Sequence, residues 1–370
     1  MSPLPYDDDD VVLVVDGQVR GRKKTSPASP SAWLKTWTPE GVYTSARTYR
    51  GIKVSRWGAH VARLRRMLRA LFAHDPSKFE GVGLPTSDAE MEAIVEDSVK
   101  EALQECAMQG IKGPGDGARE RPKIADATAT PSLAFPSRDP PLPPLAVLGA
   151  SLGGEVMLVV VVSPKPETGG YRVGVHATPL HDDRDDDGIV VAVCAPPREL
   201  PTVKSTSWPA DREWIREDAP EDADECVLAR DGGECLVEGL TNNLFVVVKG
   251  PDGKPLVRTA PEGECLPGLA RAAVLAACET EGIAVEARAP EAAERKKWKE
   301  AFVTNAVRLA RPVREVRWPR GVGVDLSRGA EDVALGGELV VELAECPGPV
   351  TKQILERLVA TADEDPGPRD

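Results

Sequence analysis

Apolar residues recur along this chain at two different spacings, which distinguish predicted helices from predicted strands. A spacing of three or four positions predicts a helix over residues 60–72 and a last helix over residues 351–358. Ser87 and Glu90 form a capping-box pattern, so a further helix is predicted to begin there. The segment from Leu266 to Leu269 is predicted to open another helix, which runs to Cys278.

Segments rich in β-branched residues predict strands. These segments occupy residues 11–15, 156–162, 173–178 and 189–194. The run at 156–162 is too short to cross a bilayer, so we predict a buried strand there. Strands and helices are mixed without a repeating βαβ period, and we therefore expect an α+β fold.

Residues 113–145 are rich in proline, which occurs among glycines, alanines and charged residues. Such a composition does not form a regular hydrogen-bonded ladder, so we predict a disordered insertion that is dispensable for catalysis. The insertion falls inside a predicted small N-terminal domain, residues 1–165. A second domain is predicted over residues 170–360, and an acidic tail over residues 361–370.

Composition narrows the classes of partner. The formal net charge is −13, so the molecule as a whole should repel nucleic acid and anionic membrane surfaces. The seven cysteines are scattered and lack metal-ligand spacing, and we expect free thiols and no metal site. Four aspartates at positions 7–10 are unlike a signal or transit peptide, which favours a cytoplasmic protein.

Five sequence blocks follow one another in order between positions 40 and 360. They cover residues 41–48 with 60–64, then 198–204, 224–245, 265–271 and 302–313. In order and spacing they resemble the class IV aminotransferases, the fold-type-IV enzymes of pyridoxal 5′-phosphate (PLP). That family includes branched-chain and D-amino acid aminotransferases and 4-amino-4-deoxychorismate lyase. The resemblance implies a D-amino acid aminotransferase-like fold, with a small N-terminal α/β domain and a larger β-barrel-like domain that binds PLP.

The resemblance also assigns roles to individual residues. Lys204 is the lysine that holds PLP as a Schiff base and shuttles protons, and Glu238 pairs with the pyridine nitrogen so that the ring acts as an electron sink. Arg63 is the phosphate-binding arginine of a His-x-x-Arg-Leu pattern. The other cofactor contacts come from a helix N-terminus and a loop: Gly268, Leu269 and Ala270, and Thr304, Asn305 and Ala306. Tyr43 and Arg47 are candidates for the substrate side.

Each of these residues also has an ordinary structural explanation. Lys204 could be a surface lysine after a strand, and Arg63 one more member of a basic helical face. Gly268 could belong to a plain Pro-Gly turn, and Tyr43 could be a core aromatic. Two departures from the family bear on cofactor affinity: Ala306 and Ala270 stand where many relatives carry a hydroxyl residue.

Three functions remain open at this point. The loop at residues 304–305 and the turn after Glu238 look closest to lyase-like members and to plant D-amino acid aminotransferase-like members, which favours a lyase that forms 4-aminobenzoate and pyruvate for folate synthesis. The second hypothesis is an aminotransferase acting on D- or branched-chain amino acids. The third is a catalytically inactive relative that serves as a binding protein. The resemblance further implies a homodimer, and plant relatives of the lyase make a plastid location the alternative to the cytoplasm.

Overall fold

The computed structural model describes residues 11–22, 29–49, 53–109, 155–180, 187–319 and 339–361. The predicted insertion, nearly all of the acidic tail and the four N-terminal aspartates lie outside these residues. The chain divides into two compact units. The N-terminal unit contains the described residues up to 180 together with 203–210, and the C-terminal unit contains 187–202 together with 211–359.

The N-terminal unit is a six-stranded antiparallel sheet with helices. Its strands are β1 (Val12–Val15), β2 (Gln18–Arg22), β3 (Val42–Tyr49), β4 (Lys53–Val54), β5 (Val156–Lys165) and β6 (Gly170–Pro179). Their order in the sheet is β2-β1-β6-β5-β3-β4. Its helices are α1 (Pro30–Thr36), α2 (Trp57–His74) and α3 (Asp88–Met108). The predicted strands over 11–15, 156–162 and 173–178 are confirmed as β1, β5 and β6.

Helix α2 confirms the predicted helix over residues 60–72, with one departure from its amphipathic pattern. Its apolar residues are buried and Arg66 and Arg69 are exposed, as the spacing predicts. Arg63, by contrast, is only 3% exposed, so it does not belong to the solvated basic face. The predicted helix at Ser87 is confirmed as α3, where the Ser87 hydroxyl accepts from the amide of Glu90 at 3.2 Å.

The C-terminal unit is built on a closed, barrel-like sheet. Its strands are β7 (Ile189–Ala195), β8 (Glu225–Arg230), β9 (Cys235–Gly239), β10 (Asn243–Lys249), β11 (Pro255–Thr259), β12 (Ala284–Ala287), β13 (Trp298–Asn305), β14 (Leu309–Trp318) and β15 (Leu339–Glu342). Six of them form a ring in the order β10-β13-β14-β7-β8-β9, which closes through the pairing of β9 with β10. The other three strands extend the sheet outside this ring.

Helices cover part of this sheet. These helices are α5 (Glu213–Glu217), α6 (Leu269–Thr280) and α7 (Pro349–Ala360). A short helix, α4 (Trp208–Asp211), precedes them in the sequence. Apolar side chains of β10 and β13 pack against α6 and α7, and at their centre Phe245 stacks on Phe302 with ring centroids 4.9 Å apart. The expected α+β architecture with a barrel-like larger domain is therefore confirmed.

Glu238 lies inside β9, one residue before that strand ends. One predicted boundary differs in detail. The helix predicted at Leu266 begins three residues later, at Leu269, and Gly282 follows its end with a φ of 67°.

Candidate cofactor site

Lys204 lies in an irregular segment of the N-terminal unit that is fixed against the start of β3. Its carbonyl accepts from the amide of Tyr43 at 2.9 Å, and its own amide donates to the sulfur of Met67 at 3.3 Å. On the other side, the hydroxyl of Thr206 accepts from the amide of Gly41 at 2.9 Å. The Lys204 Nζ lies 5.0 Å from the centroid of the Tyr43 ring. The position of this lysine is therefore set by its backbone as well as by its side chain.

Arg63 takes part in a buried polar cluster of the same unit. One of its terminal nitrogens donates to the hydroxyl of Thr44, and that hydroxyl lies 2.6 Å from Nδ1 of His60. Burial lowers the pKa of Arg63 to about 10, and the nearby Arg66 adds to this effect. Burial also holds the pKa of His60 well below its ordinary value, and the charges of Arg63, Arg56 and Lys204 act in the same direction.

A neutral His60 can accept the hydrogen of the Thr44 hydroxyl through Nδ1, while the oxygen of that hydroxyl accepts from Arg63. The result is a short relay from Arg63 through Thr44 to His60. In the sequence His60 is recognisable only as the first residue of the His-x-x-Arg-Leu pattern, which does not predict its contact with Thr44.

Glu238 lies in the C-terminal unit and forms a buried ion pair with Arg198. The Nε and one terminal nitrogen of Arg198 donate to the same oxygen, Oε1, at 3.0 and 2.6 Å. The two side chains are 7% and 4% exposed. The other oxygen, Oε2, accepts from the amide of Leu266 at 3.0 Å. A carboxylate held in this way is ionised and fixed, which is what a partner for a protonated pyridine nitrogen requires.

The start of α6 is tied to the same place. Leu266 donates its amide to Glu238, and its carbonyl accepts from the side-chain amide of Asn243 at 2.9 Å. Asn243, which follows the turn after Glu238, therefore braces the segment before α6. A Cβ on Gly268 would collide with Oδ1 of Asn243, so this close approach requires glycine.

The three residues assigned to the helix N-terminus do not have equal roles. The Gly268 amide donates to the carbonyl of Leu266 at 2.7 Å, so it is already engaged. The amides of Leu269 and Ala270 open α6 and have no acceptor among the described residues. Because helix N-termini favour anions, these two amides are the ones that could receive a phosphate.

The loop after β13 is held by the side chain of Asn305. Its Oδ1 accepts from the amides of Val307 and Arg308 at 3.0 and 2.7 Å, and its Nδ2 donates to Asn242 at 2.7 Å. Asn305 is therefore occupied in shaping the loop, and Ala306 offers only its backbone. Leu309, the first residue of β14, has a φ of 62°, a strained value for leucine that fixes where the loop ends.

Two buried polar atoms test whether these residues suit an anionic cofactor. The Nε of Arg63 and the hydroxyl of Thr304 are both buried, and neither has a hydrogen-bond partner in the described part of the chain. A buried donor without a partner costs free energy, which an anionic ligand would recover. Within each unit, taken by itself, an unsatisfied buried donor therefore stands at a residue that the resemblance assigns to the PLP phosphate, and such a donor fits an anionic group.

The two substrate-side candidates differ in their surroundings. Tyr43 is buried in a cluster with Trp33 and Trp37, as a core aromatic would be, although Lys204 lies over its ring. The Nε of Arg47 donates to the carbonyl of Thr48 at 3.3 Å. The described residues contain no group of three or more histidine, cysteine or acidic side chains able to hold a metal ion. Nor do they include a helix long and apolar enough to cross a membrane.

Comparison with known proteins identifies the family. A family model described as amino-transferase class IV matches residues 149–316. The matched part of the chain belongs to the class IV aminotransferase family. Enzymes of this family use PLP, and the chain is a PLP-dependent enzyme of this type. No curated protein sequence matches the chain significantly.

Solved structures of class IV aminotransferases share the fold. A putative branched-chain amino acid aminotransferase of Thermotoga maritima is 18% identical with a TM-score of 0.58, over 95% of this chain and 96% of that chain. The branched-chain aminotransferase of Escherichia coli is 17% identical with a TM-score of 0.56, over 96% and 95%. A PLP-bound hypothetical aminotransferase of Mycobacterium tuberculosis is 15% identical with a TM-score of 0.58, over 95% and 98%.

Proposed function

We propose that this class IV enzyme is a 4-amino-4-deoxychorismate lyase, which forms 4-aminobenzoate and pyruvate. The observation that carries the proposal is the hydrogen bond from Asn305 to Asn242. It joins the two segments whose sequences look closest to the lyase-like members, the loop at 304–305 and the turn after Glu238. The two lyase-like features are thus parts of one hydrogen-bonded structure.

PLP, when bound, supplies an electron-withdrawing ring that stabilises negative charge on the amine-bearing carbon of the substrate. We propose that the Lys204 amine holds the cofactor and, once released from it, removes the proton from that carbon. The carbon–oxygen bond to the three-carbon group would then break with its electron pair on oxygen, and the same amine would return a proton to that group as it leaves as pyruvate. Glu238, kept ionised by Arg198 and the Leu266 amide, would hold the proton on the pyridine nitrogen.

In the C-terminal unit the phosphate would be held by the Thr304 hydroxyl and the amides of Leu269 and Ala270, which have no other partner among the described residues. The resemblance gives the same role to Arg63, whose Nε has no partner in the described part of the chain while a terminal nitrogen donates to Thr44. The absence of a hydroxyl at Ala306 and Ala270 leaves the backbone amides to replace those contacts. We also propose a homodimer, which sedimentation of the PLP-loaded protein would test by giving twice the chain mass.

The second candidate is an aminotransferase. Several of the similar solved structures are described as branched-chain amino acid aminotransferases, one of them as putative, and one contains norvaline. Lys204 would perform the same proton transfer in that reaction, but the amino group would remain on the cofactor until a 2-oxo acid accepts it. The two candidates therefore differ in their need for an acceptor.

The test is the formation of 4-aminobenzoate from aminodeoxychorismate by PLP-loaded protein without any 2-oxo acid. We expect product from the wild-type chain and from Lys100→Ala, a surface change on α3, and none from Lys204→Ala. Wild-type protein that binds PLP but forms no product would reject the lyase, and a panel of D- and L-amino acids with 2-oxoglutarate would then test the aminotransferase. Protein that does not bind PLP would favour the inactive relative.

A further inference from the structure

Glu225 is a buried carboxylate that organises the turn after Glu238. It is 7% exposed and stands at the first position of β8. Its Oε1 accepts from the amides of Leu240 and Cys226 at 3.1 and 3.2 Å. Its Oε2 accepts from the hydroxyl of Thr241 at 2.6 Å and from the side-chain amide of Asn242. All four partners are donors, so the full capacity of an ionised carboxylate is used.

Beyond Asn242 the contacts continue as a chain of hydrogen bonds in which every donor and acceptor is fixed. The backbone amides of Val307 and Arg308 can only donate, so Asn305 must turn its oxygen toward them. Its nitrogen then faces Asn242, whose oxygen accepts from it, and the nitrogen of Asn242 faces Glu225. The two backbone amides fix one end of the chain and the carboxylate fixes the other.

We propose that Glu225 is a positioning residue for the phosphate loop at residues 304–308. The carboxylate sets the orientation of Asn242, Asn242 sets that of Asn305, and Asn305 shapes the loop that follows Thr304. The inference rests on the proposed function, because it assumes that this loop receives the PLP phosphate. Glu225 would not touch the cofactor itself, and its effect would appear as affinity for the phosphate group.

The change Glu225→Gln tests the direction of the chain. An amide at position 225 must place its NH2 group either toward Asn242 and Thr241 or toward the two backbone amides. In both orientations a donor meets a donor, and the mismatch passes along the chain to the loop. We expect the affinity for PLP to fall by about tenfold or more, the loss of one charge-assisted hydrogen bond.

The readout compares PLP with pyridoxal, which lacks the phosphate. Both are titrated against the protein by the visible absorbance of the lysine-bound cofactor. Glu225→Gln should lower the affinity for PLP but leave the affinity for pyridoxal within about twofold of the wild-type value. The matched control is Glu300→Gln. Glu300 is equally buried in the same unit, but its oxygens accept from Val350 and Thr351 at the start of α7. That control should lower stability without changing the ratio of the two affinities.

A second change should repair the first. In the double variant Glu225→Gln with Asn242→Asp, the carboxylate at 242 accepts from the new amide at 225 and from Nδ2 of Asn305. We therefore expect recovery of PLP affinity to within about threefold of the wild type. Asn242→Asp alone places two carboxylates side by side and should also lower the affinity for PLP.

The outcomes separate this inference from the proposed function. Wild-type protein without PLP uptake would overturn both. Wild-type protein that binds PLP, together with a Glu225→Gln variant whose ratio of PLP to pyridoxal affinity equals that of Glu300→Gln, would overturn the positioning role alone. If Glu225→Gln does not fold, Asn305→Ala takes its place, because Asn305 is the half-buried end of the hydrogen-bond chain. An unchanged ratio of PLP to pyridoxal affinity in Asn305→Ala would equally contradict the proposal.

Discussion

Glu238 receives both hydrogen bonds of its ion pair through a single oxygen, Oε1, while Oε2 accepts from the amide of Leu266. Burying a carboxylate in a protein costs several kcal/mol, and the guanidinium of Arg198 offsets that cost only while both partners are present. At the scale of single residues, each member of the pair therefore depends on the other, and the pair keeps a charged carboxylate at the position for which we propose the contact with the pyridine nitrogen.

Replacing Arg198 should be costly for this reason. Arg198→Met leaves the carboxylate of Glu238 buried without its charge partner, and we expect the free energy of unfolding to fall by about 3–5 kcal/mol. The measurement is urea denaturation of the cofactor-free protein at neutral pH. Arg230→Met is the matched control, because Arg230 pairs with Glu264 where the side chains are 42% and 38% exposed. In Arg230→Met the free energy of unfolding should fall by less than about 1 kcal/mol. Equal decreases in the two variants would contradict the account.

His60 should give stability a particular pH dependence. Its pKa in the folded chain lies well below the ordinary value, chiefly because of burial and then because of Arg63, Arg56 and Lys204. As the pH falls through about 6.5, the unfolded chain takes up a proton that the folded chain does not bind. The free energy of unfolding should therefore decrease toward acid, with a slope of up to about 1.4 kcal/mol per pH unit from this group.

His60→Asn removes that contribution. Between about pH 5 and 6.5 the variant should lose stability less steeply than the wild type, as measured by urea denaturation at several pH values. His74→Asn, at an exposed position on the same helix, serves as the control and should keep the wild-type slope. Identical slopes for His60→Asn and the wild type would show that His60 is protonated in the folded chain.

At the scale of elements, predictability followed the strength of the local pattern. Helices α2 and α3 were predicted because their apolar spacing and cap residues are local signals, and β1 and β5 because β-branched runs mark them. The short helix α5 and strand β12 were not predicted. Each is five residues or fewer, so the position of each depends on tertiary packing and not on its own sequence.

The start of α6 offers a test at this scale. In Gly268→Ala the added Cβ would meet Oδ1 of Asn243 and displace the side chain that donates to Leu266. We expect a loss of about 1–3 kcal/mol in the free energy of unfolding and a lower affinity for PLP. The control is Gly83→Ala, where a Cβ would meet nothing within 4 Å. Unchanged stability and PLP affinity in Gly268→Ala would mean that Asn243 does not hold the helix start.

At the scale of the whole molecule, the sequence located the candidate residues but not their partners. The five blocks pointed to Lys204, Glu238 and Arg63 because motif residues can be recognised in order. The ion pair from Arg198 to Glu238 joins positions 40 residues apart, and the bond from Asn305 to Asn242 joins positions 63 apart. No local pattern encodes such distances. The first follows from the strand order β7-β8-β9, because Arg198 comes after β7 and Glu238 lies in β9. The second follows from the pairing of β10 with β13.

The central claim is that Lys204 is the residue that holds PLP. The most direct measurement is to load the protein with PLP, reduce it with borohydride, digest it and locate the labelled lysine by mass spectrometry. The account predicts the label on the peptide that contains Lys204, and no label in a Lys204→Arg variant treated in the same way. A label on any other lysine, or an equal label in the variant, would contradict it.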